Sequence, residues 1–223
     1  EYKPGSGIET TTGPLGQGFA TSVGMALAEK MLNARFKNDL VDHFTYTIVG
    51  DGCLQEGISQ EAIDFAGHLK LSKLIVFWDD NSISIDGKTN LSTSTNQISR
   101  FKSSGWHTQK IDGHNFDEIS NAIDKAKMSK KPSLIACKTI IGFGSPNLAG
   151  TEKTHGAPLG KDEVEEVKKY LNWNYKPFEV PKEIIEEWRN VKVNGDKKRK
   201  EWLLRLESNS KRDKFNEFLY TGL

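Results

Sequence analysis

Two polar residues, Asp51 and Asn81, each follow an apolar run at a spacing that can build a metal site. Asp51 is the centre of the Gly-Asp-Gly sequence at 50–52, directly after the run 44–49, and Asn81 comes shortly after the run 74–78. One carboxylate and one amide oxygen, completed by waters and phosphate oxygens, form a ligand set that Mg²⁺ prefers. The flanking glycines let backbone N–H groups approach a phosphate closely. The pair therefore predicts a site for a divalent cation and a diphosphate.

The elements that must position this pair are two strands and the helix between them. Both runs are rich in β-branched and aromatic residues, which predicts strands. The residues between them fit one crossover helix, predicted from Glu56 to Leu69, so the two strands are expected to run parallel. Ligands bind outside the carboxyl ends of the strands in an open parallel sheet, which puts Asp51 and Asn81 at the same edge. Because Gly-Asp-Gly alone also occurs in ordinary turns, the paired placement carries the prediction.

A second glycine-rich loop, residues 13–18, follows an irregular entry loop predicted over residues 1–12. The small and apolar residues after it predict a closely packed helix from Gly16 to Phe36. Free backbone N–H groups at such a helix N-terminus form an anion site. The same pattern is also typical of a helix start that serves packing alone, and the loop residues leave both interpretations open.

Strand and helix patterns continue to alternate along the chain. Strands are predicted at 105–111 and 132–138. Further helices are predicted at 95–102, 115–128, 161–170, 181–189 and from an N-cap at Asp196 to about residue 219. The alternation predicts an α/β fold, a parallel sheet with helices on both faces, followed by a helical linker. The long Gly-rich segment 139–160 has no predicted element, and loops of this length tend to be functional; it contains His155.

The composition narrows the possible classes of protein. The chain has 223 residues, enough for one α/β domain with a proper core, and a formal net charge of +1. That charge favours neither nucleic acid nor an anionic membrane, and no apolar run is long enough to span a bilayer. The two cysteines, Cys53 and Cys137, lie far apart in sequence, so we expect free thiols and a reducing, cytoplasmic location.

Five short motifs carry a resemblance to a known family. They are Gly13–Gly18 (GPLGQG), Gly50–Gly57 (GDGCLQEG), Ala66–Leu71 (AGHLKL), Asp79–Ile83 (DDNSI) and His155–Leu159 (HGAPL). In this order they closely resemble the N-terminal, diphosphate-binding domain of transketolases, with a looser match onward to Pro181. Thiamine enzymes in general share the GDG…N pattern, whereas GPLGQG, GDGCLQEG and HGAPL are much more specific to transketolases.

The resemblance implies an activity and a set of site residues. Transketolases transfer a two-carbon ketol unit between ketose and aldose phosphates of the pentose phosphate pathway, using thiamine diphosphate and Mg²⁺ or Ca²⁺. The resemblance implies that Asp51 and Asn81 bind the cation through side-chain oxygens and Ile83 through its backbone carbonyl. The implied cofactor-binding residues are Gly13, Pro14, Leu15, Gly52, Asn81 and His155. His155 is also the implied catalytic residue, since an imidazole there can donate to an oxyanion or shuttle a proton.

The resemblance further implies how the site is completed. It implies a homodimer in which a complementary pyrimidine-binding domain of the partner subunit finishes each site, with sugar phosphates as substrates and neither nucleic acid nor membrane as partner. Glu56 and Glu61 match a carboxylate network that runs between the two active sites of the dimer. The alternative is that Glu56 caps its helix and Glu61 is ordinary solvated surface.

The extent of the match predicts an internal fragment. We expect residues 1–175 to be the diphosphate-binding domain without its N-terminal part, and the highly charged residues 176–223 to be a helical linker toward a pyrimidine-binding domain. Such a fragment is expected to be inactive alone. Two alternatives stay open: a ketol transferase like dihydroxyacetone synthase, and a non-catalytic half-subunit that only binds a partner.

Overall fold

A computed structural model describes residues 2–3 and 5–222 of the chain. It contains two compact units, each made of two stretches of sequence. The first unit is Glu1–Ala28 with Phe44–Leu171, and the second is Glu29–His43 with Asn172–Leu223. The first unit contains the β-sheet and every residue predicted to bind cation or cofactor, whereas the second is helical.

The sheet of the first unit confirms the predicted parallel arrangement. In chain order the strands are β1 Thr45–Gly50, β2 Leu74–Asp80, β3 Ile83–Ser84, β4 Gly87–Lys88, β5 His107–Asp112 and β6 Ser133–Lys138. Four of them form one parallel sheet in the spatial order β1-β2-β6-β5, and β3 pairs with β4 as a small antiparallel hairpin that the sequence did not predict. Gly50 pairs with Asp79, so β1 and β2 end at the same edge.

The helices that end at or before residue 170 agree with their predicted positions to within a few residues. The seven described helices are α1 Gln17–Phe36, α2 Gly57–His68, α3 Gln97–Ser103, α4 Phe116–Met128, α5 Lys161–Tyr170, α6 Lys182–Ser208 and α7 Arg212–Thr221. The start of α4 follows from its cap, because Asn115 Oδ1 accepts hydrogen bonds from the backbone N–H groups of Asp117 and Glu118 at 3.0 and 3.1 Å.

Alternation along β2 explains why helices cover both faces of the sheet. Leu74, Val76 and Trp78 belong to one buried cluster that includes residues of α1, α2 and α3. Ile75 belongs to a second cluster, with Ala122 of α4. Successive side chains of a strand point to opposite faces, so a strand that is apolar throughout is buried on both sides. The predicted cover of helices on both faces is therefore confirmed.

The crossover helix α2 is fixed by a close approach at Gly67. A Cβ atom at this position would lie 1.7 Å from Ser104 O, so only glycine fits between α2 and the turn that follows α3. One turn earlier, Ile63 O accepts a hydrogen bond from Trp106 Nε1 at 2.9 Å. These contacts hold α2, which connects β1 and β2, against the turn after α3 and against Trp106.

The second unit corrects the predicted helix boundaries. The expected break before Asp196 is wrong, because α6 continues through that residue; Gly195 costs a helix only about 1 kcal/mol. The expected single helix to residue 219 is also wrong, because α6 ends at Ser208 and α7 begins at Arg212. Asn209 Oδ1 accepts from Lys211 N–H at 2.9 Å, and such a local bond competes with helix continuation.

The helices of the second unit enclose a small aromatic and aliphatic core. Its buried members are Phe36, Leu40, Val41, Leu206 and Phe215. Trp202 Nε1 also donates a hydrogen bond to Leu40 O at 2.9 Å. Among the described helices, none is long and apolar enough to cross a membrane.

Three positions of the predicted segments lie outside the described residues. They are residues 1 and 4 of the entry loop predicted at 1–12, and residue 223 of the predicted linker. Within the entry loop, Lys3 and Ile8 form an isolated antiparallel bridge. The division into domains 1–175 and 176–223 stays a prediction.

Candidate functional site

Asp51 follows β1, and two donors from the end of β2 and beyond hold its carboxylate. Trp78 Nε1 donates to Asp51 Oδ1 at 3.1 Å, and Ser82 N–H donates to Asp51 Oδ2 at 3.1 Å. Ser82 has a φ of 64°, in the left-handed region that few non-glycine residues adopt. The chain after the second strand therefore fixes the side chain that follows the first.

The surroundings of Asp51 disfavour the ionised form of its carboxylate. The pKa of Asp51 is raised from 3.8 to about 6, chiefly by burial and also by the nearby carboxylates of Asp80 and Asp79, while the hydrogen bonds from Trp78 and Ser82 lower it in part. Removal of a carboxylate from water and the approach of like charges both disfavour ionisation. A cation at this position would relieve both effects, and at pH 7 the group is ionised and ready to bind one.

Asn81 is oriented by a hydrogen bond at each end of its amide. Its Nδ2 donates to Asp79 Oδ2 at 3.1 Å, and its Oδ1 accepts from Ile83 N–H at 2.9 Å. The hydroxyl of Thr139 donates to the other carboxylate oxygen of Asp79. The amide oxygen of Asn81 is thereby fixed beside the backbone of Ile83.

The three sequence-predicted cation ligands thus lie around one turn, Asn81–Ile83, to which Asp51 is hydrogen-bonded; we call it the cation turn. Asn81 and Ile83 flank Ser82, which binds Asp51 directly. A carboxylate, an amide oxygen and a backbone carbonyl suit Mg²⁺ or Ca²⁺, both of which take oxygen ligands. Within residues 2–3 and 5–222 no group of three or more His, Cys, Asp and Glu side chains can hold a metal ion. A cation in this turn would therefore need oxygens from a ligand such as a diphosphate.

Sequence reasoning missed the residues that support this turn. Lys138, at the end of β6, donates from Nζ to Ser82 Oγ at 2.7 Å and lies 3.4 Å from Asp80 Oδ1. Burial and then the charge of Asp79 raise the pKa of the thiol of its neighbour Cys137 to about 11, which disfavours the reactive thiolate. The available signal was position, since both residues end β6, which pairs with β2, the strand that Asn81 follows.

The glycine loop 13–18 lies beside a cavity next to β1. Gly13, Pro14 and Leu15 line this cavity, whose volume is about 330 Å³, together with residues of β1. Gly52 lies against the same loop, because a Cβ atom there would be 3.2 Å from Leu15 Cδ1. The structure therefore brings four sequence-predicted cofactor residues together, next to the turn that contains Asp51.

The same loop is held against the start of α2 at Gly16. The φ of Gly16 is 81°, and a Cβ atom at this position would lie 2.9 Å from both Glu56 Cβ and Ile58 Cγ2. Glu56 is the N-cap residue of α2, yet its side chain makes no capping hydrogen bond, so the capping interpretation is not supported. Glu61 is exposed on the same helix.

His155 lies in a different segment from the cation turn. It follows the short 3₁₀ turn Glu152–Thr154, and its N–H donates to Glu152 O at 2.9 Å. Its ring is exposed, and among the residues that the structure describes no hydrogen bond joins it to the network around Asp51. Its predicted catalytic role stays a prediction.

The fold and this edge define a class: an α/β domain suited to bind a phosphate-bearing cofactor at the carboxyl ends of its parallel strands. Comparison with protein families narrows the class, because the family described as transketolase, thiamine diphosphate binding domain, matches residues 1–219. The chain belongs to this family. The expected resemblance to transketolases is thereby confirmed.

Individual relatives agree with this assignment. The chain is 54% identical over 215 residues to a transketolase of Cereibacter sphaeroides, a match that covers 96% of this chain and 33% of that protein. It is 52% identical over 217 residues to a transketolase of Sinorhizobium medicae, covering 97% of this chain and 31% of that protein. The chain thus spans about a third of the length of the curated relatives it matches.

Solved structures of transketolases share the fold. The Campylobacter jejuni transketolase superposes with a TM-score of 0.93 at 39% identity, over 96% of this chain and 34% of that chain. A Pichia stipitis transketolase in complex with sedoheptulose-7-phosphate superposes with a TM-score of 0.86 at 41% identity, over 93% and 31% respectively. The predicted α/β fold is therefore that of transketolases.

Proposed function

We propose that this chain supplies the diphosphate- and metal-binding part of a transketolase, which transfers a two-carbon ketol unit between ketose and aldose phosphates. The observation that carries the proposal is the hydrogen bond from Ser82 N–H to Asp51. It brings the oxygen atoms that follow two neighbouring strands, the possible cation ligands, to one place. Pichia stipitis relatives were solved with sedoheptulose-7-phosphate and fructose-6-phosphate, which supports sugar phosphates as substrates.

Each residue of the site has a proposed part. Asp51 and Asn81 would bind Mg²⁺ or Ca²⁺ through side-chain oxygens, and Ile83 through its backbone carbonyl. The close backbone at Gly13–Leu15 and Gly52 would contact the cofactor. Thiamine diphosphate, when bound, supplies the carbon centre that takes up and releases the two-carbon unit. His155 would donate a hydrogen bond to a sugar oxygen or exchange a proton with it.

The cation part of the proposal is tested by Asp51→Ala. We expect this variant of the whole enzyme, meaning this chain joined to the parts of a transketolase that it does not span, to lose Mg²⁺-dependent binding of thiamine diphosphate. Titration calorimetry with and without Mg²⁺ measures it. His155→Ala is the comparison variant: it should lower turnover about 100-fold and weaken cofactor binding much less than that. Unchanged cofactor affinity in Asp51→Ala would contradict the cation site.

A homodimer is part of the same proposal. An apolar groove between α1 and α2 is lined by Ala62, Phe65 and Ile58 and also by Glu61. Phe65 and Ile58 are 48% and 44% exposed, and exposed apolar patches commonly mark interfaces. We expect the whole enzyme to scatter light as a dimer. An active monomer would refute both the shared site and the network assigned to Glu56 and Glu61.

The cytoplasmic location and the shared site remain to be tested as well. Both cysteines are free thiols, which supports a reducing compartment. We expect the chain alone to transfer no ketol unit, and a complex with a pyrimidine-binding domain to transfer it. A stable complex without transfer would favour the non-catalytic half-subunit instead.

A further inference from the structure

We propose that His114 and Glu163 are positioning residues that hold the segment 140–155 and thereby fix His155. The inference rests on the proposed function of His155, but its physical part concerns contacts that exist without any ligand. The segment 139–160 contains only the short 3₁₀ turn Glu152–Thr154, so its order depends on contacts with other elements.

His114 holds the beginning of the segment in two ways. Its Nε2 accepts a hydrogen bond from Ile140 N–H at 3.0 Å, which requires the ring hydrogen to be on Nδ1. The ring also stacks on Phe143, with centroids 4.0 Å apart and planes inclined by 20°. Tyr170 of α5 contacts the other side of this pair, meeting Phe143 edge-on at 5.7 Å between centroids. The segment is therefore held on one side by His114, which follows β5, and on the other by Tyr170 of α5.

Two contacts lead from this anchor toward His155. Gly150 N–H donates to Ile141 O at 2.8 Å, which closes the segment on itself. At Gly142 a Cβ atom would lie 2.7 Å from Thr154 Cγ2, so the backbone there packs directly on the residue before His155. A shift of the first anchored residues would therefore be transmitted to the imidazole.

Glu163 holds the middle of the segment from the first turn of α5. Its carboxylate accepts from Asn147 Nδ2 at 2.8 Å, from Asn147 N–H at 2.9 Å and from the hydroxyl of Ser145. These hydrogen bonds, that of the Asn147 side chain first, lower the pKa of Glu163. One ionised side chain therefore satisfies three donors of a segment that lacks regular structure.

A second route of hydrogen bonds leads from this anchor to the same place. Leu148 N–H donates to Ser145 Oγ at 3.1 Å, and Leu148 O accepts from Thr151 Oγ1 at 2.7 Å. Thr151 O in turn accepts from Thr154 Oγ1 at 2.9 Å. Both anchors thus converge on Thr154. A misplacement of about 1 Å in a reacting group can lower a rate about 100-fold, so the convergence matters for catalysis.

Hydrogen exchange on the 223-residue chain tests the anchors directly. In His114→Ala the amides of Ile140 and of residues 150–155 should exchange about tenfold faster, the effect of losing one hydrogen bond. His114→Gln keeps an acceptor oxygen near the Nε2 position and should restore protection at Ile140. Glu163→Ala should act on residues 145–155, whereas its matched control Glu166→Ala, whose partner Lys169 is on the same helix, should change nothing there.

Turnover of the whole enzyme tests the link to His155. His114→Ala and Glu163→Ala should each lower kcat about 10- to 100-fold while the affinity for thiamine diphosphate changes much less than kcat. Added to His155→Ala, either substitution should cause no further loss, because a positioning residue acts only through the group that it positions. A merely structural role would give additive losses.

Each outcome decides one part of the proposal. Unchanged exchange in His114→Ala and Glu163→Ala would overturn the anchors, and additive kcat losses would overturn the link to His155. If His155→Ala alone turns over normally, the proposed function of His155 fails and the link with it, while the exchange data still decide the anchors. Should His114→Ala fail to fold by circular dichroism, Phe143→Leu, which removes the ring contacts with His114 and Tyr170 but keeps His114 as the acceptor for Ile140 N–H, takes its place in both measurements.

Discussion

Asp51→Asn should make the stability of the ligand-free chain less dependent on pH. The folded structure raises the pKa of Asp51 from 3.8 to about 6. A displacement of this size corresponds to about 3 kcal/mol of preference for the protonated form. Because the carboxylate is partly exposed, solvent screening reduces the expected effect to about 1–2 kcal/mol. The neutral amide of the variant cannot ionise and avoids this cost.

The sign of the effect follows from the direction of the shift. Below about pH 4 Asp51 is protonated in both states and its charge costs the fold nothing. Between about pH 4 and pH 6 the unfolded chain releases the proton while the folded chain keeps it, so the contribution of Asp51 to stability is lost as the pH rises. Above about pH 6 the full cost is present and stays constant.

Urea unfolding of both proteins at a series of pH values measures the difference. The free energy of unfolding of Asp51→Asn minus that of the unsubstituted chain should rise by about 1–2 kcal/mol from pH 4 to pH 7. The subtraction cancels the other titrating groups and any constant loss from the changed hydrogen bonds to Trp78 and Ser82. Asp86→Asn, which removes an exposed carboxylate in the turn of the β3–β4 hairpin, controls for the loss of one negative charge.

A difference that stays flat from pH 4 to pH 7 would show that the fold does not penalise the charge of Asp51. With saturating Mg²⁺ and thiamine diphosphate, the unsubstituted whole enzyme should gain stability relative to Asp51→Asn. Ligands at about 100 times their dissociation constant stabilise a protein that binds them by about 2.7 kcal/mol, and the variant should lose most of this gain.

Two further substitutions test the packing and the support of the cation turn. Gly67→Ala should lower the free energy of unfolding by about 3 kcal/mol in urea, because its Cβ atom would overlap Ser104 O; Gly24→Ala, with nothing within 4 Å, should instead raise it by up to about 1 kcal/mol. Asp79→Ala should weaken Mg²⁺ binding about 10- to 100-fold in calorimetry of the whole enzyme, because it frees the amide of Asn81; unchanged affinity would exclude the orienting role.

The sheet and its helices were predictable because their signals are local. The apolar run of β2 and the cap at Asn115 are signals that lie within the element or next to it. The predicted strand and the predicted start of α4 are therefore close to the observed ones. The β3–β4 hairpin has strands of two residues each, too short for any periodic pattern to appear. In α6 a run of weak helix formers around Gly195 suggested a break, but continuation of an existing helix is far easier than a new start.

The candidate site was predictable only in part, for a related reason. Asp51 and Asn81 stand directly after strands, so the parallel topology alone put them at one edge. The partners Trp78, Ser82 and Thr139 depend on the register between strands and on the left-handed turn at Ser82, which no single stretch of sequence displays. His155 came from resemblance alone. Of its proposed anchors, His114 lies far from the HGAPL motif in sequence, and Glu163 follows that motif closely but belongs to no motif itself.

The proposed cation turn would be a binding site that opposes the stability of its own fold. Two donors hold the carboxylate of Asp51, yet its pKa remains raised, so the hydrogen bonds only partly offset the cost of burial. A fully satisfying set of donors would stabilise the empty fold, but it would also occupy the oxygens that a cation needs. A bound cation would relieve the residual cost. Because that relief would be available only in the bound state, it would add to the affinity for the cation. On this proposal the raised pKa of Asp51 and the oxygen-rich turn both follow from keeping carboxylate oxygens available to a cation, and the pH series on Asp51→Asn measures the cost to the free energy of unfolding.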